Sequence, residues 1–123
     1  MLDLKLEIVT PNGLIFSDKV KEVVLPGEEG EFGVLPEHVG LFTLLGAGVI
    51  EFTKENSDTD AVVISSGNVT VYKDSIVALV EGAIPLEGKG EGDIAKALDG
   101  VRELLKDATD SQSVIASVEA RLR

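Results

Sequence analysis

Between Leu2 and Leu86 short apolar or alternating runs are separated by turn residues roughly every eight to twelve positions, the rhythm of an all-β sandwich or barrel. Leu2, Leu4, Leu6 and Ile8 form the clearest period-2 face, with Asp3, Lys5 and Glu7 on the other side and a Pro11-Asn12-Gly13 turn after them. Further strands are expected over 21–25, 31–35, 41–45, 49–53, 61–65, 69–72, 76–80 and 83–86. Beyond them the period lengthens: Ile94, Ala97, Leu98, Val101, Leu104, Leu105 and Ala108 share one helical face, with Asp93 placed to cap it. A second helix from about Asp110 or Ser111 carries Val114, Val118 and Leu122. Two short helices, each with one apolar stripe, predict an antiparallel hairpin. Gly88-Lys89-Gly90-Glu91-Gly92 reads as a flexible connector. The expected plan is therefore a β-sandwich domain over residues 1–87, a Gly-rich linker over 88–92 and a two-helix antiparallel hairpin over 93–123.

Charge narrows the partners. The 123 residues carry 22 acids against 11 bases, a net charge of −11. Such an excess repels phosphate, which argues against nucleic acid and against direct binding to an anionic membrane. Residues 1–87 hold 15 acids and 5 bases, net −10, and residues 88–123 hold 7 acids and 6 bases, net −1. The acidic surface belongs to the β part, and an almost neutral amphipathic tail suits docking on protein. There is no Cys, so a disulfide framework, a thiol nucleophile and a thiolate zinc site are ruled out. The opening Met-Leu-Asp-Leu-Lys-Leu-Glu lacks the apolar run of a secretory signal, and no stretch reaches the roughly 18 uncharged apolar residues of a membrane span, so a soluble cytoplasmic protein is expected.

Several motifs fail on inspection. Gly46-Ala47-Gly48-Val49-Ile50-Glu51 begins like a dinucleotide fingerprint, but Glu51 replaces the third glycine and the run reads as strand. Asn56-Ser57-Asp58-Thr59-Asp60 opens like a calcium loop, yet Ala61 and Gly67 stand where its glycine and bidentate glutamate belong. His38, the one histidine, cannot make a multi-histidine metal site, and no metal is expected. Glu28, Glu29, Glu31 and Glu37 cluster among Pro26, Gly27, Gly30, Gly33 and Pro36. They read either as a solvent-exposed turn or as a loop that presents carboxylates and backbone to a partner.

The run from Leu25 through Pro26-Gly27-Glu28-Glu29-Gly30-Glu31-Phe32-Gly33-Val34-Leu35-Pro36-Glu37 to His38 resembles the signature of the ε subunits of F-type ATP synthases. The resemblance extends through Leu41 and Thr43 to Gly48-Val49-Ile50, and back through Val9-Thr10-Pro11 to Phe16. It implies a non-catalytic subunit of the central rotor stalk, bound to the γ subunit and to the ring of membrane-embedded c subunits. The subunit would sit peripherally at the cytoplasmic face of the bacterial inner membrane, held there only through the complex. By the same resemblance Glu29, Gly30, Glu31, Phe32 and Gly33 meet the c ring, while Thr10, His38 and Thr43 lie near γ.

In many bacterial relatives the helices open along γ and engage the α and β subunits, which blocks ATP hydrolysis; here only Arg121 and Arg123 remain as bases of the second helix beside Glu119. Some relatives also bind ATP through an Ile/Leu-Asp-x-x-Arg-Ala pattern. Leu98-Asp99-Gly100-Val101-Arg102-Glu103 matches it in part, which makes Asp99 and Arg102 the candidate nucleotide-binding residues, with an i,i+3 surface ion pair as the alternative. No other cofactor is implied. Gly100 costs about 1 kcal/mol relative to Ala inside a helix, so it marks either close packing between the helices or a weak point, and weak packing is the default. Outside this family two readings stay open: a small hydrolase using a carboxylate pair such as Glu29 and Glu31, or a free-standing acidic binding module.

Overall fold

A computed structural model describes residues 4–35, 40–86, 99–106 and 114–116. The linker expected at 88–92, the Asp93 cap and His38 lie outside the described residues. Nine strands are described: β1 (Leu4–Thr10), β2 (Gly13–Gly27), β3 (Gly30–Val34), β4 (Leu41–Leu45), β5 (Gly48–Lys54), β6 (Thr59–Ile64), β7 (Gly67–Tyr72), β8 (Ser75–Val80) and β9 (Ala83–Pro85). Each lies where the alternation placed one, with a single large difference. β2 is 15 residues long, and its first half, 13–20, was not expected to be strand. That half holds Leu14, Ile15 and Phe16 followed by the exposed Ser17, Asp18 and Lys19, a polar run that interrupts the alternation but is tolerated where one side meets water.

β2 joins the two layers. Its first half pairs antiparallel with β1, from Thr10↔Gly13 to Leu4↔Val20, and β1 continues through parallel β8 to β7 and β4. Its second half pairs with β3 on one side and with β5 on the other, and β5 leads through β6 to β9. The register shifts between Val20 and Glu22, where the strand passes from one layer to the other. Leu4, Leu6 and Ile8 of β1, Val69 and Val71 of β7, and Ile76 and Ala78 of β8 face Val23 and Leu25 of β2, Ile50 and Phe52 of β5, and Val62 and Ile64 of β6 in one aliphatic core. Phe16 closes the seam against Phe52, with ring centroids 4.4 Å apart.

β6 is buried on both faces. Val62 and Ile64 point into the sandwich, whereas Ala61 and Val63 join a second cluster with Val49, Leu86, Val101 and Leu105. The cover on that outer face is helix α1, residues 99–105, with helical residues 114–116 beside it through Val114 and Ile115. The expected helical face is therefore present over the described residues, and it is spent on the β5-β6-β9 sheet. Gly100 does not mark weak packing: a Cβ there would stand 3.2 Å from Ile84 Cδ1, so the residue permits close approach to the strand. Truncating Ile64 to Ala should lower the unfolding free energy by about 2–5 kcal/mol, because the methyl groups removed leave a void in a close-packed core. Leu79→Ser on the opposite outer face should change it by less than about 0.5 kcal/mol, and urea titration of both variants checks the contrast.

Candidate partner-binding surface

The acidic turn is built by two glycines and bolted to β4. Gly27 and Gly30 face each other across a two-residue connection, Glu28-Glu29, and Gly30 has a φ of +135°, which an L side chain rarely adopts. A Cβ on Gly27 would meet the Gly30 carbonyl oxygen at 2.7 Å. The Glu28 N–H donates to the Leu44 carbonyl at 3.1 Å, and the Gly46 N–H donates to the Pro26 carbonyl at 2.9 Å. Backbone bonds of this kind hold the carboxylates of Glu28, Glu29 and Glu31 at fixed points while their side chains stay exposed. Glu29 on the turn and Glu31 on β3 are both exposed to water, not enclosed in a dry cleft.

The remaining expected residues divide into three places. Gly27 to Gly33, Leu41, Thr43 and Leu44 line an open cleft of about 640 Å³ between the edges of β3 and β4. Thr10, Pro11, Glu28, Leu45, Ser66, the start of β7 at Gly67 and Asn68, and residues 79–81 line a second one of about 570 Å³. Glu28 borders both, so the structure gathers Thr10, Thr43 and the 29–33 segment at one end of the sandwich. The Thr10 hydroxyl serves its own turn: it donates to the Gly13 carbonyl and accepts from the Asn12 N–H, both at 3.1 Å. Asp99 and Arg102 are elsewhere, on α1, where an Arg102 guanidinium nitrogen lies 3.7 Å from an Asp99 oxygen with both side chains largely exposed. An exposed pair at this spacing adds little stability.

One surface escaped the sequence reading. The outward positions of β4, β7 and β8 are Phe42 and Leu44, then Asn68, Thr70 and Tyr72, then Ser75, Val77 and Leu79. None carries a charge, in a chain in which 27% of residues do. Phe42 and Tyr72 are each 64% exposed, and Leu44 and Leu79 about half exposed. The pairings Phe42↔Thr70↔Val77 and Leu44↔Asn68↔Leu79 set them in two contiguous rows across three strands. A solvated outer face ordinarily alternates with charge, and an uncharged one, with aromatic and aliphatic side chains flanking Asn68 and Thr70, is a candidate site for a partner. The signal was present as Phe42-x-Leu44, Thr70-x-Tyr72 and Val77-x-Leu79, but only the register shows that these positions point away from the core.

Residues 3–86 match the family model described as the β-sandwich domain of the ATP synthase delta/epsilon chain. Over 119 residues the chain is 50% identical to the ATP synthase epsilon chain of a Nitratiruptor species, covering 97% of this chain and 92% of that one. Over 122 residues it is 49% identical to the epsilon chain of Sulfurimonas denitrificans, covering 99% and 94%. The chain belongs to the ATP synthase epsilon chain family. An epsilon chain is a structural and regulatory subunit of the synthase and not its catalytic one, so the carboxylate-pair hydrolase and the free-standing module give way. The fold also superposes on a chain in a structure of the Euglena gracilis mitochondrial ATP synthase, comprising OSCP, F1 and c-ring, with a TM-score of 0.75 and 24% identity over 100% of this chain and 83% of that one. Among the described residues no helix is long and apolar enough to cross a membrane.

Gly30→Ala should destabilise the epsilon-family fold by about 1–3 kcal/mol through backbone strain at the acidic turn. Gly33→Ala, whose Cβ would find only ordinary contact at 3.8 Å, should not, and paired chemical denaturation curves measure the difference.

Proposed function

We propose that this subunit links the γ subunit to the c ring in the central stalk, so that ion flow through the membrane sector drives ATP synthesis in the catalytic head. Family membership supports the assembly, and the uncharged outer face of β4, β7 and β8 is the observation that carries the docking. An uncharged face with exposed aromatic and aliphatic side chains suits a permanent protein interface, because burial of apolar surface is insensitive to salt. That face is assigned to γ; Thr10, His38 and Thr43 are assigned to γ by the family resemblance alone, since Thr43 alternates with Phe42 and Leu44 and lines the cleft with the acidic turn. The acidic turn at the end of the sandwich, from Glu29 to Gly33, is assigned to the c ring, where carboxylates can accept from basic or amide groups. Similar chains come from complexes described as F1 with c-ring and as central stalk with c-ring, the second from Tetrahymena thermophila at a TM-score of 0.56 and 11% identity.

The subunit then lies at the cytoplasmic face of the bacterial inner membrane, held peripherally through its partners. Residues 88–92 act as the hinge between the sandwich (1–87) and the helical part (93–123), and that part engages the α and β subunits when it regulates hydrolysis. Coupling needs no cofactor. ATP enters only as a candidate regulatory ligand at Asp99 and Arg102, and the pairing of these two groups with each other supports the simple ion-pair reading.

Phe42→Asp should weaken binding to purified γ by about 30-fold or more, as expected for an exposed aromatic anchor replaced by a charge. Circular dichroism should stay unchanged, since Phe42 lies outside the core. Undiminished binding of this variant and of Leu44→Asp would remove γ from this face.

A further inference from the structure

Gly82 and Gly100 are glycines that no turn requires, since neither has a φ in the left-handed region. Both sit where a strand segment and a helix touch. A Cβ at Gly82 would collide with Leu104 Cδ1 and stand 3.4 Å from the Ser65 hydroxyl, and one at Gly100 would stand 3.2 Å from Ile84 Cδ1. The two contacts are reciprocal. The large residue of the helix, Leu104, fills the gap at the small residue of the strand segment, Gly82. The large residue of the strand, Ile84, fills the gap at the small residue of the helix, Gly100.

The spacings agree as well. Positions 100 and 104 are one turn apart, about 6 Å along a helix, and positions 82 and 84 are separated by about 6.6 Å along an extended chain. Gly82 cannot retreat easily, because its carbonyl accepts from the Ser65 N–H at 3.2 Å and its neighbour's Glu81 N–H donates to the Ser66 carbonyl at 2.9 Å. A helix normally disfavours an internal glycine, so Gly100 is kept at a cost in local propensity.

We propose that this reciprocal size match, Leu104 against Gly82 and Ile84 against Gly100, fixes α1 in one register on the sandwich. The buried Val101 and Leu105 supply adhesion, and the interlock supplies position. A smooth apolar stripe could slide by a turn; one with a peg and a gap in each partner cannot. The inference concerns the seat of the helix alone and does not depend on which proteins cover the other faces.

Hydrogen exchange of the full chain, read by mass spectrometry over residues 99–106 and over β1, β7 and β8, tests it. Gly82→Val and Leu104→Ala, each alone, should speed exchange over 99–106 by about tenfold, within the range of coupling between touching residues. The double variant should return to within about threefold of the parent, because the added and removed volumes compensate. The three strands should keep their protection throughout. Exchange in the double variant as fast as the two single effects combined would overturn the interlock, as would Gly82→Val leaving 99–106 unchanged or a parallel loss in the strands. Gly100→Leu adds an independent check: Leu favours a helix, so slower exchange would mean that propensity alone governs the segment, whereas the interlock requires faster exchange.

Discussion

The whole molecule hangs on β2 being shared between two layers. Its first half completes the ladder with β1, its second half lies between β3 and β5, and the register shift after Val20 turns the strand from one to the other. A sandwich with separate sheets is held together by side-chain contact alone; here the backbone itself crosses the gap, and Phe16 against Phe52 packs the crossing. The layers therefore cannot shear past one another without breaking strand hydrogen bonds. Such stiffness suits a component through which torque passes, and it fixes the acidic turn at β2's far end relative to the outer face of β4, β7 and β8.

Most of this architecture was legible because the core alternates strictly. Leu4, Leu6 and Ile8 declare their face in the first ten residues, and all are fully buried. The start of β2 was not legible, since Ser17, Asp18 and Lys19 carry no alternation and their strand conformation comes from pairing with Glu7, Leu6 and Lys5. Ala61-Val62-Val63-Ile64 is the opposite case: a continuous apolar run means a strand covered on both sides, and α1 is what covers the second. That run and the apolar stripe of the helix are two halves of one contact, though no local rule joins residues 40 positions apart.

The candidate site divides along the same line. The acidic turn could be read directly, because Gly27 and Gly30 with carboxylates between them are a local pattern. The uncharged face could not, because Phe42 and Leu44 look like core residues until pairing with β7 shows which way they point. Gly100 was misread for a similar reason: the residue that explains it, Ile84, lies in another element. What sequence conveys well is periodicity within an element, and what it conceals is the identity of the neighbour across a gap.

The bare outer face also has a meaning for the subunit before it is assembled. A free copy exposes Phe42, Leu44, Tyr72 and Leu79 to water on that patch. With a formal charge of −11 overall, nearly all of it in the β part and none of it on that patch, copies repel one another through the rest of the β surface. Mutual repulsion between free copies works against their pairing through that patch.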